Sequence, residues 1–293
     1  MSRKKAWTMR NSNVTGGDLL SAIVAATKQG VRERQTRQPI GPVRAAAIAK
    51  RSSGVSFKAA LCRPGRFNVI AECKKRSPSA GLIRSNYNAS KLAVSYANAG
   101  AAAISVLTEP GFFDGTLSDL SDAREAIEMP VLRKDFIVSE YQIYESVLAG
   151  ANAILLIVAA LSREELERLS ARARAVGLAI LTEIHDEVEL AAALDVDADV
   201  VGINNRNLKT LDVDLDASMR LIKQIPEHVI AVAESGLTAM SDLENLRRLG
   251  FDAYLIGESL LKETNPGRAL EMLLLGGDAR KPRGKRSPSN YSE

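Results

Sequence analysis

The sequence predicts an α/β protein: a (β/α)8 TIM barrel with an N-terminal helical extension. Three observations carry the prediction. Short apolar, β-branched runs recur eight times along the chain; helical segments with their own start and stop signals fall between them; and polar residues stand at the C-terminal ends of most of the runs. The runs are "NVIAECKK" (68–75), "AAISVLTE" (102–109), "PVLRKDF" (130–136), "AILLIVA" (153–159), "AILTEI" (179–184), "VVGINN" (200–205), "VIAVAES" (229–235) and "AYLIGES" (253–259). Successive starts lie about 20 to 35 residues apart, room for one strand, one helix and two loops. Strict alternation of strand and helix implies a parallel sheet with right-handed crossovers. Eight such units in about 210 residues fit a closed barrel better than an open doubly wound sheet. No GxGxxG follows the first run, which weighs against a dinucleotide-binding fold.

The first run breaks its own pattern. Side chains alternate along a strand, so Ile70, Glu72 and Lys74 share one face while Val69, Ala71 and Cys73 share the other. A carboxylate and an ammonium therefore lie on the face of an apolar strand, at its C-terminal end. The segments between runs read as helices. In "SREELERLSARARAVG", Leu166 and Leu169 are spaced i, i+3, Ser162 and Glu165 form a capping box, and Gly177 stops the helix. "TAMSDLENLRRLG" repeats the form with Gly250, and "NASKLAVSYANAG" ends at Gly100. Ahead of the barrel, 17–34 fits an amphipathic helix with Leu20, Ile23 and Val24 on one face, despite a glycine at 30 that costs about 1 kcal/mol against alanine. "SFKAALCRPG" (56–65) reads as a second, short helix ended by Pro64-Gly65. The division is an extension over 1–67, a barrel over 68–277 and a disordered basic tail over 278–293.

Composition narrows the function. The chain of 293 residues is 46% hydrophobic and 25% charged, an ordinary globular balance. No apolar run is long enough for a transmembrane helix, and no apolar core follows the basic start, so neither a membrane nor a secretory signal is expected. Cys62 and Cys73 are too few for a disulfide framework and lack metal-ligand spacing, in keeping with the reducing cytoplasm. The tail holds five basic residues against two acidic ones, +3 of the net +4, leaving a nearly neutral body; no nucleic-acid partner is expected.

In a parallel barrel all strand C-termini meet at one rim, where active sites of this fold sit. Glu72 and Lys74, Lys134, Glu183, Asn204 and Arg206, Glu234 and Ser235, and Gly257 and Glu258 all fall at such ends. A charge taken out of water is costly unless paired, so a cluster of carboxylates and lysines there reads as a site. Glu72, Lys74, Lys134, Glu183 and Glu234 can carry successive proton transfers. "ESGL" and "IGES", after runs seven and eight, place Gly236 and Gly257 where backbone amides can meet an anion, the usual phosphate position of this fold.

These blocks carry a resemblance. "IAECKKRSPSAGLI", "ISVLTEPGFFDGTLSDL", "PVLRKDFIVSEYQI", "GANAILLIVAAL", "LTEIHDEVEL", "GINNRNLKTLDVD", "VAESGL" and "IGESLL" resemble, in order, the strand blocks of the indole-3-glycerol phosphate synthase family over about residues 68 to 275. The resemblance implies a lyase of tryptophan biosynthesis that closes the indole ring of 1-(2-carboxyphenylamino)-1-deoxyribulose 5-phosphate with loss of CO2 and water, with no metal or organic cofactor. By motif, Lys134 resembles the family's principal general acid, and Lys74 the lysine that holds the substrate carboxylate. Glu183 resembles the carboxylate of the later dehydration, and Glu72 and Glu234 those that order the lysines. Asn204 and Arg206 resemble polar substrate contacts. Ser77, Ser235, Gly236, Gly257 and Glu258 (by its backbone amide) match the phosphate pocket, and Phe113, Phe136 and Leu155 the apolar wall for the anthranilate ring. The resemblance also implies an extension that covers the barrel, a monofunctional chain, a small phosphorylated substrate and association with other enzymes of the pathway. Two rival readings stay open: another phosphate-handling barrel isomerase, whose Cys–Asp or Asp–Asp pair fits this lysine and glutamate set poorly, and a catalytically inactive ligand-binding barrel.

Overall fold

Eight parallel strands form a closed barrel in the computed structural model, which describes residues 16–50, 56–206 and 215–276. The expected tail at 278–293 and the first fifteen residues lie outside the described residues. The strands are β1 (Asn68–Cys73), β2 (Ala103–Leu107), β3 (Val131–Lys134), β4 (Ala153–Ile157), β5 (Ala179–Ile184), β6 (Val200–Asn204), β7 (Ile230–Glu234) and β8 (Ala253–Ile256). Each pairs with its neighbour in chain order, and β1 closes the ring against β8 with Asn68 opposite Ala253 and Ala71 opposite Ile256. Period-two alternation sorts the side chains. Ile70, Leu132, Leu155, Leu181, Val232 and Leu255 fill the interior; Val69, Ala71, Cys73, Ile104, Ile154 and Val201 meet the surrounding helices.

Among the described residues, three helices precede β1: α1 (Gly16–Arg37), α2 (Ile40–Lys50) and α3 (Phe57–Leu61). The apolar face expected of α1 is present, with Leu20 and Ile23 buried in the interior cluster and Val24 packed against it. Helix α2 was not anticipated: its sequence, "IGPVRAAAIAK", buries only Val43 and Ala47 and shows little periodicity. Helix α3 is shorter than expected, stopping at Leu61 before Pro64-Gly65. The Asn68 side-chain amide donates to the carbonyls of Leu61 at 2.8 Å and Arg63 at 3.2 Å, which turns the chain into β1. Phe57 and Leu61 plug the interior from the opposite end to Leu20 and Ile23.

The helices after the strands are α4 (Ala89–Asn98), α5 (Leu117–Ala126), α6 (Glu140–Leu148), α7 (Arg163–Ala175), α8 (Glu187–Asp195), α9 (Leu215–Leu221), α10 (Met240–Leu249), α11 (Glu258–Lys262) and α12 (Pro266–Leu275); α4, α7 and α10 end just before Gly100, Gly177 and Gly250, the stops read from the sequence. The Ser162–Glu165 capping box forms in both directions, at 3.0 and 3.2 Å, and Leu166 and Leu169 are buried. Among the described residues, no helix is long and apolar enough to cross a membrane.

Candidate active site

All fifteen residues singled out from the sequence line one cavity of about 1020 Å³ at the C-terminal end of the strands. Its two sides differ because the barrel order puts β2–β4 opposite β6–β8. On one side Phe113 and Phe136 lie with ring centres 6.1 Å apart, next to Leu155, and Leu20 and Ile23 of α1 close over them. On the other side lie Ser77, Ser235, Gly236 and Gly257, small residues with hydroxyls or bare backbone. Ser235 and Gly236 both take left-handed backbone, at φ 66 and 76, so the chain turns sharply there.

Charged groups stand between the two sides. The Lys134 ammonium donates to Glu183 Oε2 at 3.1 Å and Glu234 Oε2 at 3.2 Å. Lys74 is paired with Glu72, two residues earlier on the same face of β1. Glu183 Oε1 accepts from the Asn204 amide at 3.1 Å, and Asn204 Oδ1 accepts from Ser235 Oγ at 2.8 Å and the Arg206 N–H at 3.0 Å. One hydrogen-bonded chain therefore links the lysine, three strand ends and the left-handed turn. Arg206 lies 3.7 Å from Glu258, whose carboxylate also accepts from Lys262 at 2.7 Å.

Two glycines make room for these carboxylates, and only tertiary register reveals them. A Cβ at Gly202 would fall 2.2 Å from Glu234 Oε1, and one at Gly257 would fall 2.5 Å from Glu72 Oε1. Gly257 was singled out for its backbone amide; its lack of a side chain also lets Glu72 pack against it. Gly202 was missed, because glycine inside a strand reads from sequence only as weak β-propensity.

Burial and charge set the proton inventory. Burial opposes the Lys134 ammonium, but Glu183, Glu234 and Glu72 outweigh it and hold the lysine above its ordinary range. Burial also pushes the carboxylates up. Lys134, His185 and the Asn204 amide more than reverse this for Glu183, which stays ionised. Glu234 has only Lys134 in its favour and Glu183 and Glu72 against it; burial leaves it pushed up to about 7. Its Oε1 has no hydrogen-bond partner among the described residues.

A stability prediction follows from Glu234. Its folded value lies above the unfolded glutamate value of about 4.3, so its contribution is fully present below that pH. It is lost as pH rises through about 7. Glu234→Gln removes the titration. Its melting temperature should exceed that of the wild type at about pH 8 and lose the advantage near pH 5, which thermal scans across that window would show.

Two further groups were not legible beforehand. The buried Glu109 carboxylate accepts the N–H groups of Gly111, Phe112 and Phe113, at 2.8, 2.6 and 3.1 Å, and so fixes the loop that carries Phe113. Arg133 and Asp135 flank Lys134: Arg133 is turned outward and does not line the cavity, and Asp135, which borders the cavity, accepts from Arg133. Arg133 donates to Asp135, Thr108, Ser146 and the Gln142 carbonyl, and lies 3.7 Å from Glu145, which is paired with Arg34 of α1. Thus β3 is clamped on both sides of its lysine and tied to the helix that closes the cavity.

The indole-3-glycerol phosphate synthase family model matches residues 20–273. The chain belongs to the indole-3-glycerol phosphate synthase family. It is 43% identical over 259 residues to indole-3-glycerol phosphate synthase of Chromobacterium violaceum, covering 87% of this chain and 97% of that one. The enzyme of the same name from Endomicrobium trichonymphae is also 43% identical, over 256 residues, covering 87% of this chain and 99% of that one. Among solved structures, KGPDC from Streptococcus mutans superposes with a TM-score of 0.54 at 13% identity, covering 71% of this chain and 95% of that one; this likeness shows the barrel fold alone. Membership gives the chain a carboxy-lyase activity in tryptophan biosynthesis. The rival reading as an isomerase barrel of another family is set aside by the same match.

Proposed function

We propose that the cavity converts 1-(2-carboxyphenylamino)-1-deoxyribulose 5-phosphate to indole-3-glycerol phosphate with the residue roles that follow. The observation that carries the reading is a cavity with an apolar wall at one end, hydroxyls and bare backbone at the other, and a carboxylate-held lysine between them. That order matches a substrate with an aromatic ring at one end and a phosphate at the other.

The anthranilate ring packs on Phe113, Phe136 and Leu155, and the phosphate sits at Ser77, Ser235, Gly236, Gly257 and the backbone amide of Glu258. Lys74 meets the substrate carboxylate, and Glu72 keeps Lys74 charged and placed. The ring carbon that bears the carboxylate attacks the ribulose carbonyl carbon. Lys134 gives its proton to the carbonyl oxygen, so the developing alkoxide is met by an ammonium already in position. The C–C bond to the carboxylate then breaks, its electrons restore the aromatic ring, and CO2 leaves. In the last step the ionised Glu183 takes a proton from the methylene carbon next to the ring nitrogen and passes it to the new hydroxyl; the C–OH bond breaks, water leaves, and the C–H electrons form the pyrrole double bond. Asn204 and Arg206 hold the hydroxyl-bearing chain of the substrate. The proposal extends to a cytoplasmic location and to association with other enzymes of the pathway.

Incubating the purified protein with this substrate should produce indole fluorescence. A protein that binds the substrate, seen by quenching of the substrate's own fluorescence, and forms no product would instead be an inactive barrel. The phosphate position has its own test. Val at 236 would carry a β-branched side chain at φ 76, which strains the turn and moves its amide. Gly236→Val should raise KM by about tenfold or more with a smaller change in kcat, and inorganic phosphate should compete with substrate. Unchanged KM together with no competition would place the phosphate elsewhere.

A further inference from the structure

His185 lies two residues beyond Glu183, on the loop from β5 into α8, and does not line the cavity. Its ring is nonetheless held from two sides. Glu189, in the first turn of α8, places Oε2 2.8 Å from the His185 backbone nitrogen and 3.0 Å from Nδ1. The other ring nitrogen, Nε2, is buried without a hydrogen-bond partner among the described residues and lies 3.6 Å from Glu183 Oε1. That oxygen belongs to the carboxylate whose Oε2 holds Lys134.

The chemistry of the ring follows from these contacts. An ionised carboxylate can only accept, so the Nδ1 that faces Glu189 carries a hydrogen. A neutral ring would then turn the Nε2 lone pair toward Glu183, two acceptors facing each other in a buried place. A second proton, on Nε2, removes the conflict and puts an imidazolium between two carboxylates. The charged groups facing the ring are Glu183 at the end of β5, Glu189 on α8 and, beyond Glu183, Glu234 at the end of β7; all three are acidic. Burial opposes the charged ring, and these carboxylates outweigh it. The same ring appears among the groups that hold Glu183 down.

We propose that His185, anchored by Glu189, is a positioning residue whose imidazolium keeps Glu183 ionised and turned toward Lys134 and Asn204. It acts through Glu183 without touching substrate, so the inference rests on the reading of this cavity as the ring-closing site. Glu183 must stay ionised to hold Lys134 and serve the dehydration, so its protonation sets the acid limb of the reaction, below the separate step that Glu234 gives at about 7. Removing a cation beside a carboxylate raises the pH at which it protonates.

The test is the pH profile of single-turnover indole formation by wild type, His185→Gln and Glu189→Gln. In His185→Gln the acid limb should move up by about one pH unit, giving about tenfold slower turnover on the acid side and rates within about twofold of wild type at alkaline pH. KM should change little. Glu189→Gln, which loosens the ring without approaching the cavity, should shift the limb in the same direction by less. A purely structural histidine would lower rates or stability without moving the limb. A further reading needs no variant: NMR signals of the His185 ring should show it protonated above the ordinary histidine midpoint of about 6.5. A wild type that forms no indole product overturns the functional reading. An active wild type whose ring is neutral at that pH, or whose limb stays in place in His185→Gln, overturns only this inference.

Discussion

Replacing Lys134 by alanine should lower turnover by at least about two to three orders of magnitude, the usual scale for a lost general acid. Geometry sets the size of the effect. Lys134 is the ammonium at the centre of the cavity, held by two carboxylates that are each 1% exposed. Lys74 is engaged with Glu72 and has the substrate carboxylate to meet, so it is poorly placed to substitute. The variant also has a thermal signature. Without the ammonium, Glu183 and Glu234 face each other in a buried site, and both are pushed toward the protonated form. Stability should therefore fall as pH rises from about 5 to about 8, more steeply than in the wild type. A variant that keeps more than about a tenth of wild-type turnover, with chemistry rather than product release limiting the rate, would remove Lys134 from the role of general acid.

The second large effect belongs to the pair on β1. Lys74→Ala should reduce kcat/KM by about a hundredfold, raising KM and lowering kcat together, because the substrate carboxylate loses its counter-ion before and during ring closure. Glu72→Gln should act through Lys74, which its carboxylate contacts directly. The double variant should then be far less impaired than the product of the single effects, since neighbours in one ion pair are not additive. Independent effects, multiplying to the double-variant value, would mean that Glu72 contacts substrate or another group on its own account.

The sequence made the frame and most of the rim legible, for reasons particular to each residue. Glu72 and Lys74 could be assigned to the interior face because a strand alternates with period two, and Ile70 on the same face is indeed in the interior cluster. The capping box at Ser162 and the glycine stop at 250 placed two helices within a residue or two, because those signals are local hydrogen bonds. What stayed hidden depends on distant parts of the chain. Gly202 makes room for Glu234 only because β6 pairs with β7, Asn204 opposite Glu234. The Arg133–Asp135 pair looks in sequence like the rest of "RKDF", yet alternation turns its arginine outward to Thr108 and Ser146, which lie on neighbouring elements. Glu109 ends the second run and nothing local marks its role, whereas its carboxylate is spent on three backbone amides of its own loop. The last turn of β3 shows the same limit at shorter range: the run to Phe136 ends as a strand at Lys134, where Asp135 Oδ1 takes the Phe136 N–H at 2.8 Å.

The central claim is that one cavity couples ring closure to loss of the carboxylate. The most direct measurement supplies substrate with isotopic carbon in the carboxylate alone and follows labelled CO2 and indole product together in a single turnover. One labelled CO2 should appear for each indole formed, with both lost to the same extent in Lys134→Ala. Indole formed without labelled CO2, or CO2 released without indole, would contradict the account.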